Sequence, residues 1–293
     1  MKQSVNPALR PWHMLGFIMY AWLILFIVLI CAGAFAQSPV PLWTVQHPST
    51  VSGVAVNDFG QVATSCYDGN VRKFSATGSL LSSYDVTPGT TGQDLRSIAA
   101  RDGTVVWSRD YAVAIRDDGS ICLAGSVPTA SMVRGISKRG LFAVADDLMV
   151  YNLAAGLKWP VGNISAARPP MGVCEDGANV WTCGLDGYLR EFTATGQLRF
   201  AKLITTEGLN SVDVSSNRVV VTDWAKGVWL LDKAGNVVSR AVESTLVYQA
   251  KFLPDGNIVY GTHDGRLCAW DGVSVSSTNP PPALNPKSKR GKR

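Results

Sequence analysis

The chain has 293 residues, 46% of them hydrophobic and 17% charged, with a formal net charge of +5 at pH 7. That charge sits at the ends. Of 27 Lys and Arg, Lys2 and Arg10 lie near the N-terminus and Lys287, Lys289, Arg290, Lys292 and Arg293 in the C-terminal tail, so the body keeps 20 basic against 22 acidic residues, a balance of −2. A near-neutral body excludes the broad basic surface that nucleic-acid binding needs. With only His47 and His263 after the N-terminal segment, a three-histidine metal centre is excluded too.

Residues 1–36 read as a membrane-targeting segment, either a signal peptide or an N-terminal anchor helix. Lys2 and Arg10 form a positive n-region, and residues 14–32 (MLGFIMYAWLILFIVLICA) are apolar without a charge. Ala34-Phe35-Ala36 then gives the small-x-small pattern of a signal-peptidase site, with Gln37 as the mature N-terminus. The apolar run is close to the ~18 residues that cross a bilayer. Two outcomes therefore stay open: cleavage and release, or retention of residues 14–33 as a single-pass anchor with the basic end inside. Either one puts the remainder outside the cytoplasm, secreted or periplasmic. Ile30 before Cys31, where a small residue would be expected, argues against a lipoprotein.

The body, residues 41–275, is repetitive. Copies start at Gly53, Ser97, Gly135, Gly172, Ser211 and Ala250, at steps of 44, 38, 37, 39 and 39 residues. Each copy opens on a short apolar strand such as GVAV and turns back into a second strand (VVVTD, IVYGT). A second turn follows, often Asp-Gly: Asp68-Gly69, Asp186-Gly187, Asp264-Gly265. A third strand (VRKFS, YLREF, GVWLLD) ends in Thr77-Gly78, Thr195-Gly196 or Ala234-Gly235, and a fourth strand closes the unit. Asp-Gly between apolar runs is a hairpin signal, because both residues tolerate the positive φ of the favoured turns. Four antiparallel strands per ~40 residues is one propeller blade. The expected fold is therefore all-β, a six-bladed propeller.

The last copy runs out after Ala269-Trp270-Asp271, whereas residues 41–46 (PLWTVQ) resemble the fourth strands around Trp159 and Phe200. They are expected to complete the last blade and remove the open sheet edge. Five cysteines follow the targeting segment (Cys66, Cys122, Cys174, Cys183, Cys268), an odd number without a CxxC, so at least one is unpaired or bridges to another molecule. A turn at Asp176-Gly177 would set Cys174 opposite about Asn179, not Cys183, and most of these thiols are expected to be small buried apolar groups. Residues 276–293 (SSTNPPPALNPKSKRGKR) carry like charges and almost no apolar side chains, and read as a disordered basic tail: a solvated terminus, or a contact to anionic lipid, polysaccharide or cell wall.

Through Tyr67-Asp68-Gly69-Asn70-Val71, Phe74 and Thr77-Gly78, through Leu185-Asp186-Gly187, Phe192 and Thr195-Gly196, and through Asp264-Gly265-Arg266 with Trp270-Asp271, the copies resemble PQQ-like (quinoprotein-like), WD and NHL propeller repeats. The resemblance implies the fold and leaves the function open. Six-bladed calcium-dependent lactonases, which are similar in outline, hold their metal with carboxylates and amides at the starts of the inner strands. The matching positions are Ser52, Arg96, Arg134, Met171, Asn210 and Gln249; none is acidic and two are cationic, so calcium is disfavoured. Sialidase-like Asp boxes and a dedicated quinone site are not recognisable, no nucleophile elbow accompanies His263, and no cofactor is expected.

The same positions offer a polar rim, joined by the second loops of each copy with Tyr67, Arg109, Tyr111, Asp146, Trp224, Lys226 and His263. Exposed aromatic and Arg residues are typical binding anchors. The competing reading has the aromatics packed between blades and each Arg paired with a nearby acid. With Arg96 and Arg134 unmatched at their ring positions, the mouth is expected to be electropositive. The chain thus reads as an exported, monomeric, non-catalytic binding or scaffold module for a protein or a small anionic ligand; the alternative is a lactonase-like hydrolase or a quinone-dependent dehydrogenase.

Overall fold

A computed structural model describes residues 41–85, 133–162 and 168–273, and between them the backbone of four strands within residues 97–125. Every element among these is a strand. No helix among the described residues is long and apolar enough to cross a membrane; the targeting segment, residues 1–36, and the basic tail, 276–293, lie outside the described residues.

The strands form four-stranded antiparallel sheets, each a simple meander except the last. One holds β2 (Val51–Val56), β3 (Val62–Cys66), β4 (Asn70–Phe74) and β5 (Leu80–Asp85); the next, described by its backbone pairing alone, holds β6 (Ser97–Ala100), β7 (Thr104–Trp107), β8 (Ala112–Ile115) and β9 (Ile121–Gly125). Then come β10 (Val133–Ile136), β11 (Phe142–Ala145), β12 (Met149–Asn152) and β13 (Leu157–Pro160), followed by β14 (Pro170–Asp176), β15 (Asn179–Gly184), β16 (Tyr188–Thr193) and β17 (Leu198–Leu203). The next sheet is β18 (Leu209–Val214), β19 (Arg218–Asp223), β20 (Gly227–Asp232) and β21 (Val237–Val242); the last is β22 (Val247–Phe252), β23 (Ile258–Thr262) and β24 (Arg266–Trp270). That last sheet takes its fourth strand from the other end of the chain: β1 (Trp43–Gln46) pairs antiparallel with β24, Trp43 opposite Ala269 and Gln46 opposite Arg266. The first strands of successive sheets neighbour one another, and β22 neighbours β2.

Burial follows this order from the axis outward. β2 is buried at all six residues, whereas the outermost β5 and β17 alternate between exposed and half-buried. The core therefore lies between blades. Trp181, Cys183 and Leu189 of one blade pack with Leu209, Val212 and Val219 of the next, and Leu230 packs with Tyr260 and Trp270 across the following seam.

The first strand of a blade has an unpaired backbone edge facing the axis, which would be costly if left unsatisfied. Side chains of the adjacent first strand satisfy it. Ser211 Oγ accepts from Ala250 N–H (3.1 Å), Asp213 Oδ2 from Phe252 N–H (2.9 Å), and Gln249 Oε1 from Val54 N–H (2.8 Å). Asn210 Nδ2 and Lys251 Nζ donate to Val247 O and Val212 O, both at 3.2 Å.

The turn between second and third strands needs one residue with positive φ. Gly69, Gly187 and Gly265 fill it at φ 81°, 79° and 84°, and Leu148 and Lys226, both at 67°, fill the equivalent place without being glycine. One register expectation is corrected. Cys174 lies opposite Trp181, and Asp176 opposite Asn179, because the two-residue turn falls on Gly177-Ala178, one residue later than Asp176-Gly177. The conclusion about the thiols is unaffected: Cys66, Cys174, Cys183 and Cys268 are free and buried.

Candidate functional site

The meander gives the ring two mouths. At one, the inner strands begin and the loops between second and third strands gather; at the other, the inner strands end.

Of the residues singled out from the sequence, those described lie at the first mouth, and most of their polar groups are in use. Ser52, Asn210 and Gln249 are buried. Ser52 Oγ donates to Ser65 O within its own blade (3.2 Å), while Asn210 and Gln249 bond across the seams as above. Arg134 does not present an unmatched cation. Its Nε and Nη2 donate to Asp146 Oδ1 and Oδ2 at 2.6 and 3.0 Å, a bidentate pair that neutralises it. Arg96, Arg109 and Tyr111 lie outside the described residues.

The loop aromatics do come together. Tyr67 and Tyr248 have ring centroids 6.4 Å apart, and Tyr248 and His263 6.0 Å apart, bridging the first and last blades. Trp224 stands 45% exposed on the same face, and Lys226 Nζ donates to Ser244 O at 2.9 Å. His263 Nδ1 lies 3.2 Å from Thr50 Oγ1. The other histidine, His47, is buried with Nδ1 3.2 Å from Cys66 Sγ. Burial, then the Arg72 guanidinium, lowers the imidazole to about 4, and burial first pushes the Cys66 thiol up to about 12. This is a neutral pair, the reverse of an activated thiolate.

The second mouth holds a feature the sequence reading did not select: a cavity of about 330 Å³ whose wall carries both signs of charge. Glu175 from β14, Asp213 from β18 and Lys251 from β22 line it, with Asp58 and Lys138 at turns and Phe252 and Pro254 beside them. Lys251 is buried, 6% exposed. Burial disfavours its charge, but Asp213 foremost, together with Glu175, outweighs that, and the ammonium is held above the ordinary lysine value. Its Nζ lies 3.4 Å from Asp213 Oδ1. Asp58 and Lys138 form an ion pair at 2.8 Å.

A signal for this site does exist in the repeat. The inner strands read GVAV, SIAA, GISK, GVCE, SVDV and AKFL. The second position is Val54, Ile98, Ile136, Val173 and Val212 in five copies and Lys251 in the sixth; the third is small or apolar in five and Asp213 in one. A lysine and an aspartate breaking the apolar pattern of neighbouring inner strands mark the cavity.

These features define the class: an all-β propeller of four-stranded antiparallel blades. No family model matches the sequence, and no curated protein matches it. Among solved structures the chain is similar to one titled "Streptogramin B lyase structure", with a TM-score of 0.59 at 11% identity, covering 78% of this chain and 96% of that one. At that identity the likeness shows the shared propeller fold alone.

Proposed function

We propose that this chain is an exported, six-bladed binding propeller that holds a small charged ligand in the cavity at the second mouth. The sheets of the fold, with β22 beside β2, support six blades, and the n-region, apolar run and Ala34-Phe35-Ala36 of the sequence support export. The observation that carries the binding reading is Lys251. A buried ammonium is costly unless it is matched, and here it is kept charged in the wall of a concave site beside two carboxylates.

Binding is favoured over a hydrolase or dehydrogenase by the state of His47, the buried thiols and Lys251. A general acid or base works best with a pKa near the operating pH, whereas the buried thiols are pushed up, His47 is held down and Lys251 is held charged. The aromatic face of Tyr67, Tyr248 and His263 is left as a surface for a protein partner.

A thermal-shift screen of the purified protein against amino acids, organic acids and amines tests this. A compound that raises Tm in the wild type by linkage, and not in Lys251→Met, is the expected result. A screen with no shift, or the same shift in the variant, contradicts it.

A further inference from the structure

The exposed apolar side chains of the propeller are spread unevenly. In four blades the fourth strand begins on them: Leu80 and Leu81, Leu157, Leu198, and Val237 with Val238, all 47–59% exposed. Strand pairing fixes the end at which they stand. Val56 lies opposite Val62, Val62 opposite Phe74, and Phe74 opposite Leu80. Val214, Val219, Leu231 and Val237 make the same row in another blade. Each row starts on the last residue of an inner strand, so these side chains ring the second mouth. Phe59, 88% exposed, is in the turn between β2 and β3 at the same end. The opposite end exposes Tyr188, Leu203 and Trp224. None of the rim side chains lines the central cavity. Apolar surface gathered in this way marks a contact with a protein or a membrane.

Both ends of the chain leave the propeller at this rim. Leu42 N–H donates to Ala269 O at 2.6 Å where the closing strand begins, and Val273 follows the end of β24. Leu42 and Val273 are themselves 54% and 62% exposed. Ala32, the last residue of the charge-free run, is nine positions before Pro41, a span of at most about 30 Å. Lys287, the first basic residue of the tail, is fourteen positions after Val273. A run of that length suits a bilayer core, and a tail with five basic residues suits an anionic lipid surface. Charges among the turns at this end are already matched. Lys138 pairs with Asp58 and Lys233 with Asp176, while Asp255 and Asp271 accept from Asn257 N–H and Val273 N–H within their own turns.

We propose that the rim of the second mouth rests on an anionic lipid bilayer, held there by residues 14–33 kept as an anchor and by the basic tail. The inference rests on the export reading above, and of its two outcomes it takes retention over cleavage. The cavity lies inside the rim, so its ligand is reached at the membrane surface.

The test places the full chain in lipid nanodiscs of phosphatidylcholine and phosphatidylglycerol that carry a nitroxide on a headgroup. Leu and Val methyl spectra are compared before and after the nitroxide is reduced. The methyls of Leu80, Leu157, Leu198 and Val238 are expected to lose their signals beside the nitroxide and regain them on reduction. Leu203, at the opposite end, should keep its signals throughout.

Rim methyls that keep their signals, or lose them no more than Leu203 does, would overturn the rim and leave the anchor standing. Rim methyls that shift with protein concentration and ignore the nitroxide would assign the rim to a second copy and overturn the bilayer. In cells, the exported protein should lie in the membrane fraction with residues 14–32 intact. A soluble form beginning at Gln37 would leave export standing and overturn the anchored rim; a chain that is never exported would remove both.

Discussion

Trp43, in the strand that closes the ring, stands on Gly78 of the following blade. A Cβ at Gly78 would lie 2.9 Å from the indole ring, and Trp43 Nε1 donates to Ala76 O at 3.0 Å. Two other seams repeat the relationship: Trp159 over Gly196, where a Cβ would be 2.7 Å away, and Phe200 over Gly235, at 3.2 Å from the ring. Each glycine sits in the left-handed region, at φ 83°, 92° and 73°. A fourth-strand aromatic and the turn glycine of the next blade thus form a clasp that only glycine permits.

Replacing Gly196 by alanine should therefore cost on two counts. Leaving glycine at positive φ costs ~1–2 kcal/mol, and forcing a methyl into Trp159 adds ~1–3 kcal/mol of overpacking. Gly156 is the control: its φ is 66°, but nothing lies within 4 Å of a Cβ there. Urea unfolding should show Gly196→Ala destabilised by about 3 kcal/mol and Gly156→Ala by the backbone share alone. Equal losses would disprove the clasp.

Ring closure makes the two ends of the chain interdependent. Deleting residues 37–46 removes β1 and leaves β24 with an open edge, a template for association with other chains. Light scattering after gel filtration should find the deletion protein aggregated. A folded monomer with unchanged Tm would count against closure by these residues.

His47 should impose a pH dependence on stability. Its folded value of about 4 is below the ordinary 6.5, so the unfolded chain takes up the proton first as the pH falls. Its contribution is complete above about pH 6.5 and is lost progressively down to about pH 4, a total of at most ~3 kcal/mol. Stability measured by urea unfolding from pH 7 to pH 4 should fall over that window in the wild type. His47→Gln should lack this fall; an unchanged slope in the variant would show that another group is responsible.

The buried thiols should be silent. Burial raises Cys66 to about 12 and Cys268 to about 11, and pushes Cys174 and Cys183 up further. Thiolate is the reactive form, so alkylation of the native protein at pH 8 should leave all four unlabelled by peptide mass mapping. Labelling should be complete in denaturant. A disulfide between any two of them would contradict the structure.

Much of the fold is legible because it repeats. Asp68-Gly69 and Asp186-Gly187 announce their turns, and the likeness of Trp43 to Trp159 and Phe200 points to the closing strand before any coordinates exist. Register is less legible: Cys174 faces Trp181 rather than Asn179, since moving a two-residue turn by one position shifts every pair by two. The candidate site residues are harder still. Arg134 stands out as a charge at an axial position, yet its partner Asp146 arrives from a loop twelve residues on. Lys251 and Glu175 belong to different blades and come to line one cavity only when β14, β18 and β22 stand in succession around the axis.

The central claim, that the ligand sits at the mouth where the inner strands end, is tested most directly by the backbone amide spectrum of isotopically labelled protein during titration with a compound that raises Tm in the wild type and not in Lys251→Met. The account predicts shifts centred on Asp213, Lys251 and Phe252, which line the cavity, with Tyr67, Tyr248 and His263 unmoved. Shifts confined to those three aromatics and their loops would place binding at the opposite mouth and contradict it.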